Sequence, residues 1–305
     1  MEEQPEVTVA VAVKDRRDLM AACLDGILGQ DGHFEVVVVD NGSTDGTLEL
    51  LRSCPDERLR VLEHPGSLGA VRNAAVAAAR APFVAFTDSD CVPEPGWLKA
   101  GLDAFTDDVG VVQGQTLPEA GAERGRWSAT QELTELTGRY EACNLFYRTD
   151  ALRAAGGFDE AVGFFGEDTA AGWAVLRDGW QPAYTEAAVV RHVVTHPGLG
   201  WHLRRALGYS NINALVRRFP ELRGELLWHR FFLRPRSAAF TALVVSTLGL
   251  RWRPLLLLAL PYLWLRRPKG RHRQDLLDAA GAAAFDAAVF AGLAKGSVRH
   301  RRIIL

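Results

Sequence analysis

Cysteine is scarce in this sequence, and no two cysteines are close enough to form a metal or redox motif. The four are Cys23, Cys54, Cys91 and Cys143. Because none of them belongs to a C-x-x-C pair, the sequence predicts neither a structural zinc site nor a dithiol redox site. Isolated cysteines are typical of a reducing cytoplasm, where a free thiol acts as a small apolar side chain. The acidic N-terminus, residues 1–6, lacks an apolar stretch, so we predict no secretory leader.

Glycine is missing from one important loop. The loop after the first predicted strand, Lys14–Arg17, contains none. A classical dinucleotide-binding fold needs glycines at that turn, where the backbone approaches a pyrophosphate. The same lack argues against a nucleotide-sugar pyrophosphorylase, an enzyme class with a related α/β layout and a glycine-rich phosphate loop.

Long uninterrupted apolar runs are also missing. Ser237–Leu250 and Pro254–Leu265 are 14 and 12 residues long, short of the ~20 residues that a membrane-spanning helix needs. Leu276–Ala294 is long enough but contains Asp278 and Asp286. Arginine and tryptophan flank these stretches, which indicates helices that lie in or dip into the cytoplasmic leaflet of a membrane. The alternative is a helical subdomain packed on the rest of the protein.

Charge is divided unevenly along the 305 residues. Residues 1–200 carry 16 Lys and Arg against 32 Asp and Glu, whereas residues 201–305 carry 19 against 5. We therefore predict an acidic domain over residues 1–200 and a basic, apolar helical region over residues 201–305, which begins with an amphipathic helix, Trp201–Phe219. The basic region is expected to meet an anionic membrane surface, and we predict no nucleic-acid partner.

Strand and helix patterns alternate through the first part of the chain. β-Branched runs predict buried strands, and apolar residues at helical spacing predict helices between them. This alternation indicates an α/β fold with a mostly parallel sheet flanked by helices. The predicted strands are Val7–Val13, Phe34–Val39, Leu59–Leu62, Pro82–Thr87, Cys143–Arg148 and Val189–Val194; the predicted helices are Arg17–Gly29, Asp45–Arg52 (with Ser43 or Thr44 as N-cap), Ser67–Arg80 and one from Gly166 to about Arg177.

Polar residues follow the ends of three predicted strands. They are Lys14 and Asp15, Asp40 and Asn41, and the triplet Asp88–Asp90. Ligands of parallel α/β sheets bind at the carboxyl ends of the strands, so these residues are expected at one edge. Asp88 and Asp90 offer two carboxylates to a hard divalent cation, Mg²⁺ or Mn²⁺, that carries a diphosphate. A D-x-D triplet by itself is a weak signal, because acidic pairs are common at turns.

Several segments share their order and approximate spacing with the motifs of one enzyme family. They are Val9–Arg16, Glu35–Thr47, Gly69–Asn73, Phe86–Asp90, Gly156–Glu160 and Gly166–Asp168. Together they resemble the family 2 glycosyltransferases of the GT-A fold. The resemblance covers about residues 7–195 and implies a Rossmann-like catalytic domain for a nucleotide-diphospho-sugar. The last third is similar, less specifically, to the membrane-associated tails of many bacterial members.

The resemblance implies a set of residues at the nucleotide-sugar. Asp40 matches a carboxylate that accepts a hydrogen bond from the base, typically uracil, and a carboxylate is a pure acceptor. The alternative is that Asp40 only forms a turn. Arg72 takes a nucleotide-facing position, or is a surface arginine on an alanine-rich helix. The remaining residues of this set are Val13, Asn41, Asp88, Ser89 and Asp15. The alternative for Asp15 is that it is a solvated loop residue without a binding role.

The resemblance also implies a metal site. Asp90 would bind the ion directly, and Asp88 would contact the ribose and assist the metal shell. His192 is the candidate third ligand, with His196 as a weaker competitor. Imidazole suits Mn²⁺ better than Mg²⁺. The alternative for His192 is an ordinary core or surface histidine.

Two acids at a predicted helix start, Glu167 and Asp168, are the implied catalytic residues. Asp168 would act as the general base, taking the proton of an acceptor hydroxyl as its oxygen attacks the anomeric carbon with inversion. Glu167 would orient the acceptor or be structural. The helix dipole is expected to lower the pKa of Asp168 and keep it ionised. The alternative is that both are simply helix-start acids.

The function predicted from these observations is a metal-dependent, inverting, non-processive glycosyltransferase at the cytoplasmic face of the cell membrane. Its donor would be a UDP-, GDP- or dTDP-sugar, and its acceptor a lipid-linked or cell-envelope glycan or a small molecule. Processive synthases carry Gln-x-x-Arg-Trp after the base, whereas Arg126-Trp127 precedes Asp168 here and lacks the Gln. The alternative is an inactive sugar-nucleotide sensor or scaffold in an envelope complex.

Overall fold

The computed structural model describes residues 4–161, 166–268, 270 and 272–305, and of Leu250 the backbone alone. The chain divides into two compact units. The first comprises Met1–Arg124 and Ala129–Thr195, and the second comprises Gly125–Ser128 and His196–Leu305.

The described residues of the first unit form one eight-stranded sheet. The strands are β1 (Val7–Val13), β2 (Phe34–Asp40), β3 (Leu59–Glu63), β4 (Phe83–Asp88), β5 (Cys91–Pro93), β6 (Val109–Pro118), β7 (Asn144–Arg148) and β8 (Gln181–His192). They stand in the order β3-β2-β1-β4-β7-β6-β8-β5. Four of the seven neighbouring pairs are parallel, which confirms the predicted α/β class with a mostly parallel sheet.

Helices cover both faces of this sheet. They are α1 (Arg17–Leu28), α2 (Thr47–Ser53), α3 (Leu68–Ala78), α4 (Trp97–Asp103), α5 (Thr149–Ala154) and α6 (Glu167–Arg177). Strand β2 is buried at every position because its valines alternate between two apolar clusters. One set packs with Ile27 of α1 and the other with Val71 of α3. A strand covered on both faces is apolar along its whole length, which explains the uninterrupted valine run.

The strand registers bring the expected polar residues to one edge. Val13 of β1 lies beside Asp40 of β2, and Ala12 lies beside Asp88 of β4. Strand β5 is separated from Asp88 by Ser89 and Asp90. Its first residue, Cys91, pairs with His192 of β8. The carboxyl ends of β1, β2 and β4 therefore meet, as the sequence pattern predicts.

Some elements differ from the sequence-based prediction. Strand β8 begins at Gln181, not Val189, because its first half is only partly buried and shows no apolar run. It pairs with β6 across a register shift at Gly114. Helix α2 begins at Thr47, not Asp45, because Gly46 has a left-handed backbone (φ 91°). The Asp45 carboxylate instead accepts a hydrogen bond from the Thr47 N–H at 3.0 Å. The sequence analysis did not predict the short elements β5, α4 and α5 or the strand β6.

The second unit is helical in the residues described. Its helices are α7 (Gly198–Leu207), α8 (Ser210–Arg218), α9 (Leu222–Glu225), α10 (Pro235–Ser246), α11 (Leu260–Leu265) and α12 (Arg273–His300), with 3₁₀ segments at Thr247–Leu250 and Arg253–Ala259. The prediction of one helix over Trp201–Phe219 is wrong, because the chain turns at Gly208 and Tyr209 and begins a new helix.

Helix α12, with 28 residues, packs against α7 and α8 within the second unit. By length and composition it is long and apolar enough to cross a membrane, and 33% of its most apolar window is buried. Two of its glycines allow close packing. A Cβ at Gly292 would lie 2.8 Å from the Ala206 carbonyl oxygen of α7, and one at Gly296 would lie 2.2 Å from Oδ1 of Asn213 in α8.

Asn144 of β7 links this strand to β6, β8 and α4 by side-chain hydrogen bonds. Its substitution is therefore expected to destabilise the first unit. Its Nδ2 donates to the carbonyls of Gln115 and Ala188, and its Oδ1 accepts from Trp97 Nε1, all at 2.8 Å. Asn144→Ala removes all three of these hydrogen bonds, and we expect it to lower the free energy of unfolding by about 3 kcal/mol. Urea unfolding measures this loss. Gln274→Ala, at an exposed position, is the control and is expected to change stability by less than about 0.5 kcal/mol; equal effects of the two substitutions would contradict the prediction.

Candidate active site

Asp40 provides a buried acceptor at the end of β2. It is 1% exposed. Its Oδ2 accepts hydrogen bonds from the backbone N–H groups of Gly42 and Ser43, at 2.9 Å each. Its Oδ1 is buried and has no hydrogen-bond partner in the part of the chain that the structure describes. Asp40 therefore forms the turn through Oδ2 and also presents a buried acceptor oxygen, Oδ1, that a ligand could use. A buried acceptor without a donor costs about 1–3 kcal/mol, so a ligand N–H at this oxygen would be stabilising.

The side chains of Asp15 and Asn41 form hydrogen bonds that join the loops around Asp40. Asp15, which has a left-handed backbone (φ 50°), accepts a hydrogen bond from the Thr44 N–H at 2.8 Å. The Asn41 side chain exchanges two hydrogen bonds with the backbone of Gly66, at 2.8 and 3.2 Å. These two predicted binding residues thus shape the rim around Asp40.

Two further predicted binding residues at this edge, Val13 and Ser89, are buried. The Val13 carbonyl accepts a hydrogen bond from the Asn41 N–H at 2.8 Å, which extends the β1–β2 ladder past the end of β2. Ser89, between the two aspartates of the D-x-D triplet, is 7% exposed. Neither side chain is a freely solvated group.

Arg72 of α3 is a buried cation between two carboxylates, which rules out the surface-arginine alternative. It is 5% exposed. Its guanidinium donates to Oε1 of Glu167 at 2.5 Å and to Oδ1 of Asp88 at 3.2 Å. Burial opposes the charge of Arg72, but Asp88 and Glu167 outweigh it and raise the pKa of the guanidinium. This cation therefore connects the end of β4 to the start of α6.

His192 and Asp90 face each other across the β5–β8 pair. His192 Nε2 lies 3.6 Å from Oδ1 of Asp90. Its other ring nitrogen, Nδ1, lies 2.8 Å from the carbonyl oxygen of Val193. A carbonyl oxygen only accepts, so Nδ1 carries a hydrogen, and Nε2 is the ring nitrogen that faces Asp90. Histidines that bind metals are commonly oriented in this way by their second nitrogen.

The chemistry of these side chains fits a divalent cation. Potential ligand atoms of Asp90, Cys91 and His192 lie within 4.8 Å of one another. Burial raises the pKa of the Cys91 thiol well above its ordinary value, so the protonated thiol is a poor ligand for a hard cation. Burial and the neighbouring Asp88 raise the pKa of Asp90, which shows that its charge lacks sufficient compensation. Mn²⁺ or Mg²⁺ would supply that compensation.

Asp88 stands outside this trio of ligand atoms. Its Oδ1 accepts the hydrogen bond from Arg72. The structure therefore brings Asp90 and His192 together directly and links Asp88 to the helix-start acids. The competitor His196 belongs to the second unit, where its Nδ1 lies 3.0 Å from the Ser128 hydroxyl.

Asp168 has a raised pKa, contrary to the expectation from the helix dipole. It lies in the first turn of α6 and is partly exposed. Its Oδ1 accepts a hydrogen bond from the Thr169 N–H at 2.7 Å, and its Oδ2 accepts one from the Ala142 N–H at 3.3 Å. Burial of the carboxylate and the neighbouring charge of Glu167 nevertheless raise the pKa of Asp168 to about 7. Because these effects outweigh the dipole, the prediction of a lowered pKa is wrong.

Sequence reasoning missed two buried groups at the site, Tyr147 and Cys91. The Tyr147 hydroxyl has no hydrogen-bond partner among the described residues. Burial, and then the charge of Asp168, raises the pKa of Tyr147 well above its ordinary value. Local patterns contain no signal for either residue, because each looks like an ordinary apolar position of a strand.

A mostly parallel α/β sheet with acidic side chains at the ends of neighbouring strands, facing a histidine of the last strand, is the arrangement of the GT-A fold. A profile described as "Glycosyl transferase family 2" matches residues 8–161. The match covers half of the chain, and the protein belongs to this family.

Two curated relatives carry glycosyltransferase names. "Pre-mycofactocin glycosyltransferase" of Mycobacterium tuberculosis is 29% identical over 249 residues, which cover 73% of this chain and 50% of the relative. "Glycosyltransferase AglE" of Haloferax volcanii is 31% identical over 171 residues, which cover 50% of this chain and 56% of the relative. The chain thus spans about half the length of the curated relatives it matches.

Solved structures show the same fold. The mannosyltransferase PcManGT from Pyrobaculum calidifontis, in complex with GDP-Man and Mn²⁺, matches with a TM-score of 0.60 and 21% identity, over 97% of this chain and 88% of that chain. S. aureus TarS in complex with UDP-GlcNAc matches with a TM-score of 0.52 and 16% identity, over 97% and 92% of the two chains. At these identities the likeness establishes the GT-A fold.

Removing the Arg72 cation is expected to destabilise the first unit strongly. Arg72→Met leaves Glu167 and Asp88 close together without their shared partner, and breaking a buried ion pair in this way costs about 3–5 kcal/mol. Urea unfolding monitored by circular dichroism measures the loss. Arg52→Met is the matched control, because Arg52 pairs with Glu63 on the surface and such pairs contribute at most about 1 kcal/mol. Equal losses of unfolding free energy in the two variants would show that Arg72 does not stabilise the first unit more than a surface arginine does.

Proposed function

We propose that the protein is a metal-dependent, inverting, non-processive glycosyltransferase that uses a nucleotide-diphospho-sugar donor. The observation that carries this proposal is the set of charges at one edge of the sheet. A buried open acceptor, Asp40, an Asp90–His192 pair and an acid with a pKa of about 7, Asp168, are all held by the first unit. The family membership of residues 8–161 supports the same conclusion.

The nucleotide base is proposed to bind at Asp40. The free Oδ1 would accept a hydrogen bond from a ring N–H of the base, while Oδ2 stays bonded to the turn. Asp15, Val13 and Asn41 would form the surrounding wall. The donor class, a UDP-, GDP- or dTDP-sugar, is supported by the GDP-Man and UDP-GlcNAc complexes of proteins with this fold.

The diphosphate is proposed to bind beside Asp88, Ser89 and Asp90. Asp90 and His192 would hold a divalent cation, with Asp88 completing the shell or contacting the ribose. When bound, the cation supplies positive charge to the departing nucleoside diphosphate. Mn²⁺ is favoured over Mg²⁺ because His192 contributes an imidazole.

Asp168 is proposed as the general base. Its carboxylate takes the proton of an acceptor hydroxyl, the acceptor oxygen forms a bond to the anomeric carbon, and the bond from that carbon to the diphosphate breaks. Attack from the side opposite the diphosphate inverts the anomeric configuration. Because Glu167 is engaged by Arg72 at 2.5 Å, it contributes charge and orientation to the site rather than taking the proton.

The acceptor is proposed to be a lipid-linked or cell-envelope glycan, or a small molecule. We assign catalysis to residues 1–200 and membrane association to the basic, apolar region of residues 201–305. The exposed apolar side chains and the excess of positive charge in that region support a location at the cytoplasmic face of the membrane.

Donor turnover is expected to depend on pH through Asp168. The base must be deprotonated, so kcat/KM for release of nucleoside diphosphate should rise about tenfold per pH unit below 7 and level off above it, as a pKa of about 7 requires. Asp168→Asn is expected to lose at least a hundredfold in rate, since general bases contribute roughly 10²–10⁴-fold. The assay uses a panel of UDP-, GDP- and dTDP-sugars.

Glu167→Gln provides a sharper test of the same assignment. The charge of Glu167 raises the pKa of Asp168 and Arg72 opposes it, so removal of this carboxylate should move the break in the pH profile to lower pH. An unchanged rate in Asp168→Asn would remove Asp168 as the base. Nucleotide binding without turnover of any donor would favour a sensor or scaffold.

A further inference from the structure

The segment Leu248–Arg267 of the second unit, called the exposed segment below, presents a concentrated set of large apolar side chains. Leu257 and Trp264 are each 66% exposed, and Trp252 is 64% exposed. Soluble proteins rarely expose contiguous apolar surface of this kind, and such patches mark contact sites. The large apolar side chains exposed here are Leu248, Trp252, Leu256, Leu257, Leu258, Leu260, Leu263, Trp264 and Leu265.

The charge around the exposed segment has one sign. Between Glu225 and Asp275 the sequence contains ten Lys and Arg and no Asp or Glu. Arg251, Arg253 and Arg267 are themselves exposed. An apolar surface with cations at its rim complements anionic lipid headgroups above acyl chains. A second copy of the same surface would instead bring like charges together, which opposes self-association through this face.

The backbone of the exposed segment suits a position in the membrane interface. The 3₁₀ segment Thr247–Leu250 ends before Arg251 and Trp252, and a second 3₁₀ segment, Arg253–Ala259, then leads directly into the short helix α11 at Leu260. If this segment crossed lipid, the interruption would place unsatisfied backbone groups and a charged arginine in the acyl region. Trp252 and Trp264 belong to the residue type that prefers the headgroup level. Shallow insertion therefore fits this segment better than crossing.

One buried ionic cluster attaches the exposed segment to α12. Asp286 in the middle of α12 is 5% exposed. It accepts hydrogen bonds from the Tyr262 hydroxyl at 2.9 Å and from Arg266 Nε at 2.7 Å, and Arg236 lies 3.7 Å from its other oxygen. Tyr262 is the buried residue of α11, so its apolar neighbours point away from this cluster. A helix whose central carboxylate is engaged in this way is poorly suited to face lipid.

We propose that the exposed segment lies in the headgroup–acyl boundary of an anionic membrane leaflet. Its leucines and tryptophans face the acyl chains, its arginines contact headgroup phosphates, and α12 stays packed in the second unit without crossing the bilayer. This inference deepens the membrane part of the proposed function and does not depend on sugar transfer.

Flotation with vesicles of neutral lipid, alone or with 30% phosphatidylglycerol, tests the surface. Full-length protein is expected to float with the anionic vesicles. Leu256→Ser/Leu257→Ser/Leu263→Ser/Trp264→Ser should bind at least tenfold less. Arg251→Gln/Arg253→Gln/Arg267→Gln should lose roughly a hundredfold on anionic vesicles, about fivefold for each arginine. Val298→Ser/Ile303→Ser removes exposed apolar groups elsewhere in the unit and should bind like the parent protein.

Depth and topology are tested on the same protein. Lipids brominated near the headgroup should quench tryptophan fluorescence, and Trp252→Phe/Trp264→Phe should abolish the quenching while Trp228→Phe retains it. Alkaline carbonate should release the protein from membranes. Resistance to carbonate, quenching only by deeply brominated lipid, or unchanged flotation of the leucine variant would overturn the proposal, as would failure of the parent protein to float.

Nucleotide binding, measured in parallel, separates this inference from the proposed function. Loss of flotation with retained binding of UDP or GDP confirms that the variant is folded and assigns the loss to the exposed segment. Flotation of a parent protein that binds no nucleotide would overturn the donor proposal alone. Thermal unfolding followed by circular dichroism should give the same midpoint for the variants and the parent within a few degrees.

Discussion

The candidate site depends on one buried cation, Arg72, held between Asp88 and Glu167. Without it, the half-buried carboxylate at the end of β4 and the buried one at the start of α6 would be neighbouring charges of one sign, which is strongly unfavourable. With it, the strand-end acids and the helix-start acids belong to one network. Burial and the charge of the adjacent Glu167 raise the pKa of Asp168 to about 7, while Arg72 opposes them, and this value is suited to proton transfer near neutral pH.

The sheet edge could be predicted from the sequence because its causes are local. A β-branched run defines a strand, the first polar residue after it marks the strand end, and parallel strands bring such ends together. This reasoning identifies Asp40, Asp88 and Asp90 from the sequence alone. The state of Asp168 was not predictable in this way. The helix dipole is a local effect that the sequence shows, whereas the burial that contributes most to the raised pKa of Asp168 arises only when distant parts of the chain fold around it.

The same distinction applies to the histidine and to the second unit. His192 was identifiable as a strand residue, but the direction of Nε2 depends on the Val193 carbonyl and on a β5–β8 pairing that no pattern indicated. In the last third, composition indicated a basic and apolar surface. The packing of α12 through Asp286 and Arg266 arises only from tertiary structure, so composition alone could not predict it.

The account is tested most directly by calorimetric titration of UDP, GDP and dTDP into the full-length protein, with Mn²⁺ and then with chelator. It predicts that one nucleotide binds at least tenfold more tightly with Mn²⁺, that Asp90→Ala abolishes this gain, and that His196→Gln, with its histidine in the second unit, retains it. Equal affinity in chelator, or no binding of any of the three nucleotides, would contradict the assignment of this edge as a metal-dependent nucleotide-sugar site.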